Sequence, residues 1–105
     1  MDTRYVQSFV SVVECGSLAE AARRLDLTPA AIAARVRTLE EELGAILIKR
    51  VGRSVKATEA GLKVLERARG VLREVRDLRA SASDDAPLGE LRLGVSVSAL
   101  TGIMP

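Results

Sequence analysis

Ser17–Arg37 reads SLAEAARRLDLTPAAIAARVR, and two helix start signals inside it decide the fold. Ser17-Leu18-Ala19-Glu20 has the form of a capping box. A hydroxyl at the cap and a carboxylate three residues on satisfy the open amides of a new helix. Leu18, Ala21, Ala22 and Leu25 give that helix an apolar stripe about two turns long. Thr28-Pro29 repeats the signal, a capping hydroxyl followed by a proline whose missing N–H is not needed at the first helical position. Ile32, Val36, Leu39 and Leu43 then recur at helical spacing and predict a second buried stripe, with Gly44 as its stop. Two short helices joined by Asp26-Leu27-Thr28 form the pattern of a helix-turn-helix, in which the second helix enters the major groove of DNA.

With about 100° per residue, Ala30, Ala33, Ala34 and Arg37 fall opposite the buried stripe and make the candidate groove face, with Thr28 and Pro29 at its entry. Arg35 lies on the flank. Small alanines let a backbone approach base edges closely. They are equally good helix formers beside solvated arginines, and this segment alone leaves both readings open.

The flanking segments favour the first. Upstream, Val6, Phe9, Val10 and Val13 mark one face of a helix over Thr3–Cys15, ended by Gly16. Downstream, Ala45–Thr58 (AILIKRVGRSVKAT) has two β-branched runs around Gly52, a hairpin pattern carrying Lys49, Arg50, Arg53 and Lys56 with no acid among them. A basic hairpin after a helix-turn-helix is a wing, placed to reach phosphates or an adjacent minor groove. Arg53, beside Gly52, is best placed for insertion. Both a phosphate contact and an ion pair with Glu40, Glu41 or Glu42 are open to Arg50, and Lys56 completes the set.

Charge is distributed accordingly. Met1–Gly44 holds 5 basic and 7 acidic residues, Ala45–Ala80 holds 10 and 4, and Ser81–Pro105 holds 1 and 3, for net charges of −2, +6 and −2. A basic middle third attracts polyanions. The chain has no histidine and one cysteine, Cys15, expected as a buried structural thiol. No disulfide, zinc site or nucleophile–base pair can be assembled from these, so neither an enzyme nor a cofactor or metal is expected. The first apolar run is short and broken by Gln7, Ser8 and Ser11, which suits neither a signal peptide nor a membrane span. A cytoplasmic location away from membranes is expected.

Glu59–Ala80 reads as one long helix with Gly61, Val64, Ala68, Val71, Val75 and Leu78 repeating at spacings of 3 and 4, widened by Leu65 and Leu72. Its length against the small domain before it favours a seam between two subunits, made by Val64, Leu65, Ala68, Val71, Leu72, Val75 and Leu78. The alternative is packing on its own winged domain. Ser81-Ala82-Ser83-Asp84-Asp85-Ala86-Pro87 is then a polar hinge, and Gly89–Val97 alternates like the first strand of a further domain. No crossover helix or second strand follows within the sequence, so this tail alone builds no second fold.

Taken in order, Phe9, Gly16-Ser17-Leu18, Ala21-Ala22, Leu25, Leu27-Thr28-Pro29, Ile32, Leu39-Glu40, Leu43-Gly44, Leu47, Arg50, Arg53, Thr58 and Ala60-Gly61 resemble the N-terminal region of the LysR-type transcriptional regulators, across essentially the whole chain. The resemblance implies a winged helix-turn-helix, a linker helix that pairs two subunits, and a C-terminal effector-binding domain of periplasmic-binding-protein type. It also implies DNA contacts at Thr28, Pro29, Ala33, Ala34 and Arg53. Family members often carry serine then arginine where Ala33 and Ala34 stand, so two polar contacts are missing from this groove face. Ile48 and Ala57 replace an aromatic residue and a leucine, changes that bear on packing.

The expected fold is therefore mainly α: three helices plus a hairpin wing in residues 1–58, a dimerisation helix over 59–80, a hinge over 81–88, and the start of an effector domain at 89–105. The expected function is sequence-specific binding of double-stranded DNA by a homodimer or higher homo-oligomer that regulates transcription. A small-molecule effector is expected only with a full C-terminal domain. The alternative is a helical protein-interaction or oligomerisation module with a basic surface, which needs neither wing nor capped helix pair.

Overall fold

The structure, a computed structural model, describes residues 1–85. Its elements run α1 (Thr3–Cys15), α2 (Leu18–Leu25), α3 (Pro29–Leu43), β1 (Ile48–Val51), β2 (Ser54–Ala57) and α4 (Glu59–Asp85). A first compact unit spans Met1–Arg73, and a second begins at Glu74, within α4. The strand expected at 89–97 lies outside the described residues.

Local chemistry sets each boundary. Asp2 caps α1 by accepting from the Arg4 amide, and Gly16 closes it at φ 72°. Ser17 Oγ caps α2 by accepting from the Glu20 amide at 3.2 Å. The return half of the expected box is not made: the Glu20 carboxylate lies instead 3.0 Å from Arg23, one turn on. Asp26 ends α2 in the left-handed region at φ 60°, and the Leu27 amide reaches back to the Ala22 carbonyl at 2.8 Å, closing a Schellman-type turn. Thr28 Oγ1 caps α3 by accepting from the Ala31 amide at 3.1 Å, with Pro29 in the first turn.

The core lies among α1, α2, α3, the hairpin and the first half of α4. Phe9, Val12, Ile32, Val36, Leu39 and Leu47 are essentially inaccessible. Val12 takes the place expected for Val13, which is only half-buried, so α1 turns slightly further inward than its spacing indicated. Cys15 is free and half-buried at the edge of this core, less enclosed than expected.

Three expectations for apolar residues are corrected. Leu43, read as the last buried residue of α3, is 38% exposed. Leu65 and Ala68, read as part of an inter-subunit seam, are buried in the chain's own core, with Val64 and Leu72 packed partly against it. Helical spacing identifies an apolar face but not what covers it, and here the first turns of α4 close the domain to which they belong. Finally, α4 runs to Asp85 rather than Ala80. The Ser-Ala-Ser segment has no residue that forbids helix.

α4 is docked by two contacts at its start. The Thr58 amide donates to the Leu47 carbonyl at 3.0 Å, while Thr58 Oγ1 donates to the Ile46 carbonyl at 2.6 Å and accepts from the Gly61 amide at 2.9 Å. A side chain on Gly61 would overlap the Leu47 carbonyl oxygen, so only glycine permits this approach.

Candidate nucleic-acid interface

The helix-turn-helix presents the expected face. Thr28, Pro29, Ala30, Ala34 and Arg37 are exposed and Ala33 is half-buried, while Ile32, Val36 and Leu39 face the core. Beyond Thr28 and Pro29 at its entry, the first two turns of this face carry only the methyl groups of Ala30, Ala33 and Ala34. A partner can therefore approach the α3 backbone closely.

Arg35, on the flank of α3, is half-buried, with its guanidinium carbon 5.7 Å from the centroid of the Tyr5 ring on α1. Beside them the Asp2 carboxylate is fully engaged by Arg4, whose Nη2 lies 2.7 Å from Oδ2. The hydrogen bonds from the Arg4 side chain and amide bring the Asp2 carboxyl down to about 2.

In the wing, Val51 pairs with Ser54 across a two-residue turn of Gly52 and Arg53. Gly52 at φ 63°, followed by a residue of ordinary φ, fits the turn whose twist suits a hairpin. This register was not readable from composition, and it sorts the cations. Arg50 pairs with Val55, whose side chain is buried, whereas Lys49 stands directly opposite Lys56, both exposed. Alternate residues point to opposite faces, so Arg50 and Lys56 do not share a face and Lys49 and Lys56 do. Like charges directly opposite destabilise a bare hairpin. Arg53 is exposed at the tip.

The ion pair open to Arg50 is not formed: among the described residues none joins it to Glu40, Glu41 or Glu42. Nor, among the described residues, does Arg35, Arg37, Lys49, Arg53 or Lys56 pair with a carboxylate; the ion pairs present involve Arg4, Arg23, Arg24 and Arg69. Glu40 is used otherwise. Its Oε2 accepts the amides of Leu47 at 2.8 Å and Ile48 at 3.4 Å, tying the last turns of α3 to the first strand of the wing. A second tie comes from the Val55 amide to the Gly16 carbonyl at 3.0 Å. Sequence reasoning missed Glu40 because its partners are backbone groups seven and eight residues away.

Elsewhere on the domain an open apolar groove of about 370 Å³ is lined chiefly by Met1, Val6, Leu39, Leu43, Val64 and Val71, with Lys63 and Arg67 also contributing. Val71 is 46% exposed. Among the described residues no group of acids, cysteine or histidine could hold a metal ion, and no helix is long and apolar enough to cross a membrane.

A capped helix pair followed by a basic two-stranded hairpin defines a winged helix-turn-helix domain. The family described as bacterial regulatory helix-turn-helix protein, lysR family, matches residues 3–62. The chain belongs to that family. It is 37% identical over 95 residues to the HTH-type transcriptional regulator ClcR of Pseudomonas putida, a match covering 89% of this chain and 32% of ClcR. Its fold is similar to that of CbnR in the CbnR DBD–DNA complex (TM-score 0.68, 36% identity, 78% of this chain and 99% of that one). It is also similar to BenM in the BenM DBD–benA site 1 DNA complex (TM-score 0.77, 32% identity, 83% of this chain and 98% of that one). The chain thus spans about a third of the length of ClcR.

Proposed function

We propose that this chain binds double-stranded DNA as the reading module of a transcriptional regulator, with α3 in the major groove and the wing on the backbone or in the adjacent minor groove. The observation that carries this is the set of exposed cations on α3 and the wing with no carboxylate partner among the described residues. Lys49 opposite Lys56 sharpens it, since such a pair is relieved by a polyanion. Thr28 and Pro29 at the entry of α3, Ala30, Ala33 and Ala34 against the groove, and Arg37, Arg50, Arg53 and Lys56 toward the backbone form the proposed contact set. The DNA complexes of CbnR and BenM support the reading by likeness of fold. Alanine contacts thymine methyls but donates nothing to guanine, so affinity is mostly electrostatic and base discrimination modest.

The same proposal includes pairing of two chains through α4. Leu65 and Ala68 serve the chain's own core, so the pairing face consists of Val64, Val71, Leu72, Val75 and Leu78. Support comes from the apolar groove, which Val64 and Val71 line, and from Leu78, which is 70% exposed. Two half-sites would then lie one helical turn of DNA apart, about 34 Å, or a multiple of it. Residues 1–58 form the binding domain, α4 carries the pairing segment, and 89–105 begin an effector domain, any small-molecule effector requiring that domain complete. A cytoplasmic, non-enzymatic role accords with this reading.

A salt titration of binding to random duplex tests it. Each phosphate neutralised contributes about −0.9 to the slope of log K against log salt, so several contacts give a steep fall. Binding that is flat with salt would refute the proposal.

A further inference from the structure

We propose that Arg35, seated against Tyr5, grips one DNA backbone phosphate at the edge of the groove that α3 occupies, with Tyr5 as its positioning residue. The proposal rests on the DNA-binding reading and adds a contact that the groove face alone does not contain.

Three observations carry it. First, α3 has only two cations, Arg35 and Arg37, and one helical step of about 100° separates Arg35 from Ala34, the member of the exposed face nearest to it. A group so displaced meets the groove wall, where the phosphates are, rather than the base edges at its floor. Second, Arg35 forms no ion pair among the described residues. The acid beside it, Asp2, is engaged through both oxygens by Arg4, with distances of 2.7–3.2 Å to the Arg4 side chain and 2.9 Å to its amide. Third, the guanidinium is already placed. At 5.7 Å from the Tyr5 centroid it has the attraction of a cation for a ring face, which leaves its in-plane N–H donors available to a phosphate. Ala31, one turn before it, is small, and long side chains on a helix lean toward the N-terminal turn. That is the end of a recognition helix presented to DNA.

The whole chain is titrated with salt on random duplex, as the unmutated protein and as Arg35→Ala, Arg35→Lys, Tyr5→Leu and Tyr5→Phe, each checked for unchanged helix content. Arg35→Ala should reduce the salt slope by about 0.9, which is about an eight-fold loss of affinity at 0.1 M salt, equal on all sequences. Arg35→Lys should keep the slope. Tyr5→Leu should keep the slope while weakening binding about two- to five-fold, and Tyr5→Phe, which retains the ring, should restore it. If the unmutated protein binds with a steep slope that Arg35→Ala leaves unchanged, the phosphate assignment is wrong. An altered base preference for Arg35→Ala in selection on randomised duplexes, with the slope intact, would move Arg35 to a base and also overturn it. Salt-independent binding by the unmutated protein would instead refute the DNA-binding reading on which the assignment rests.

Discussion

Replacing Glu40 by alanine separates two roles for this residue that predict opposite signs. Glu40 belongs to an acidic run, Glu40-Glu41-Glu42, at the C-terminal end of α3, which has no basic residue in its last turn. Carboxylates there oppose the helix dipole, so if Glu40 were only a surface charge, alanine would stabilise the domain by about 0.3–1 kcal/mol. In the fold, however, Glu40 is a tether. Its Oε2 holds the Leu47 amide at 2.8 Å beside a fully buried Leu47 side chain, and the Ile48 amide at 3.4 Å. A hydrogen bond to a charged group contributes about 1.5–3 kcal/mol, and the long second bond adds little. After subtracting the relieved dipole term, Glu40→Ala should destabilise by about 1–2 kcal/mol. For a chain of this size that lowers Tm by about 4–16 °C. Glu40→Gln keeps a neutral acceptor and should lose about half as much. Far-UV circular dichroism melts at fixed protomer concentration measure this, since association would otherwise contribute. A Glu40→Ala protein as stable as the parent, or more stable, would show that the tie between α3 and the wing carries no energy.

Gly61→Ala should destabilise by about 1–3 kcal/mol in urea titration, although alanine ordinarily favours a helix, because its Cβ would overlap the Leu47 carbonyl oxygen. Val71→Glu with Val75→Glu should give a monomer by sedimentation while leaving the melting of the first unit nearly unchanged; an intact dimer would contradict pairing through this face. Ala34→Arg should add preference for guanine at one position of each half-site, worth about 1–3 kcal/mol of discrimination, read by selection on randomised duplexes. Asp2 has a folded-state pKa of about 2 against an ordinary 3.8, so its cap on α1 is fully present above pH 3.8 and is lost as pH falls through about 2. The Arg4 amide resonance should move over that interval by NMR, and movement centred at the ordinary carboxyl value would refute the assignment.

The four helices were readable because their signals are local. Ser17, Thr28, Gly16 and Gly44 each act within one turn of where they stand, and all four occupy the expected cap positions. What escaped depends on placement in space. The apolar spacing of α4 was visible, but that Leu65 and Ala68 turn toward their own core while Val71 does not follows from how Gly61 seats the helix on Leu47. The basic residues of the wing were visible too, but choosing Lys49 rather than Arg50 as the neighbour of Lys56 requires the register set by the two-residue turn. The reciprocal half of the capping box failed because Glu20 had a second partner, Arg23, one turn away on the same helix. At the candidate interface, the exposure of Ala30, Ala34 and Arg37 followed from helical period alone, whereas Arg35 on Tyr5 joins two helices and no single-segment pattern encodes it.

Salt acts on the Lys49–Lys56 pair in two opposed ways. In the free domain, dissolved ions screen the repulsion between the two ammonium groups, so added salt tightens the hairpin; in the complex, the same ions compete for the phosphates that would hold it. Free and bound wings thus respond to ionic strength with opposite signs. Part of the work of ordering the hairpin falls to whatever anion arrives, and at low salt a bound duplex would rigidify the wing most where the unbound wing is loosest.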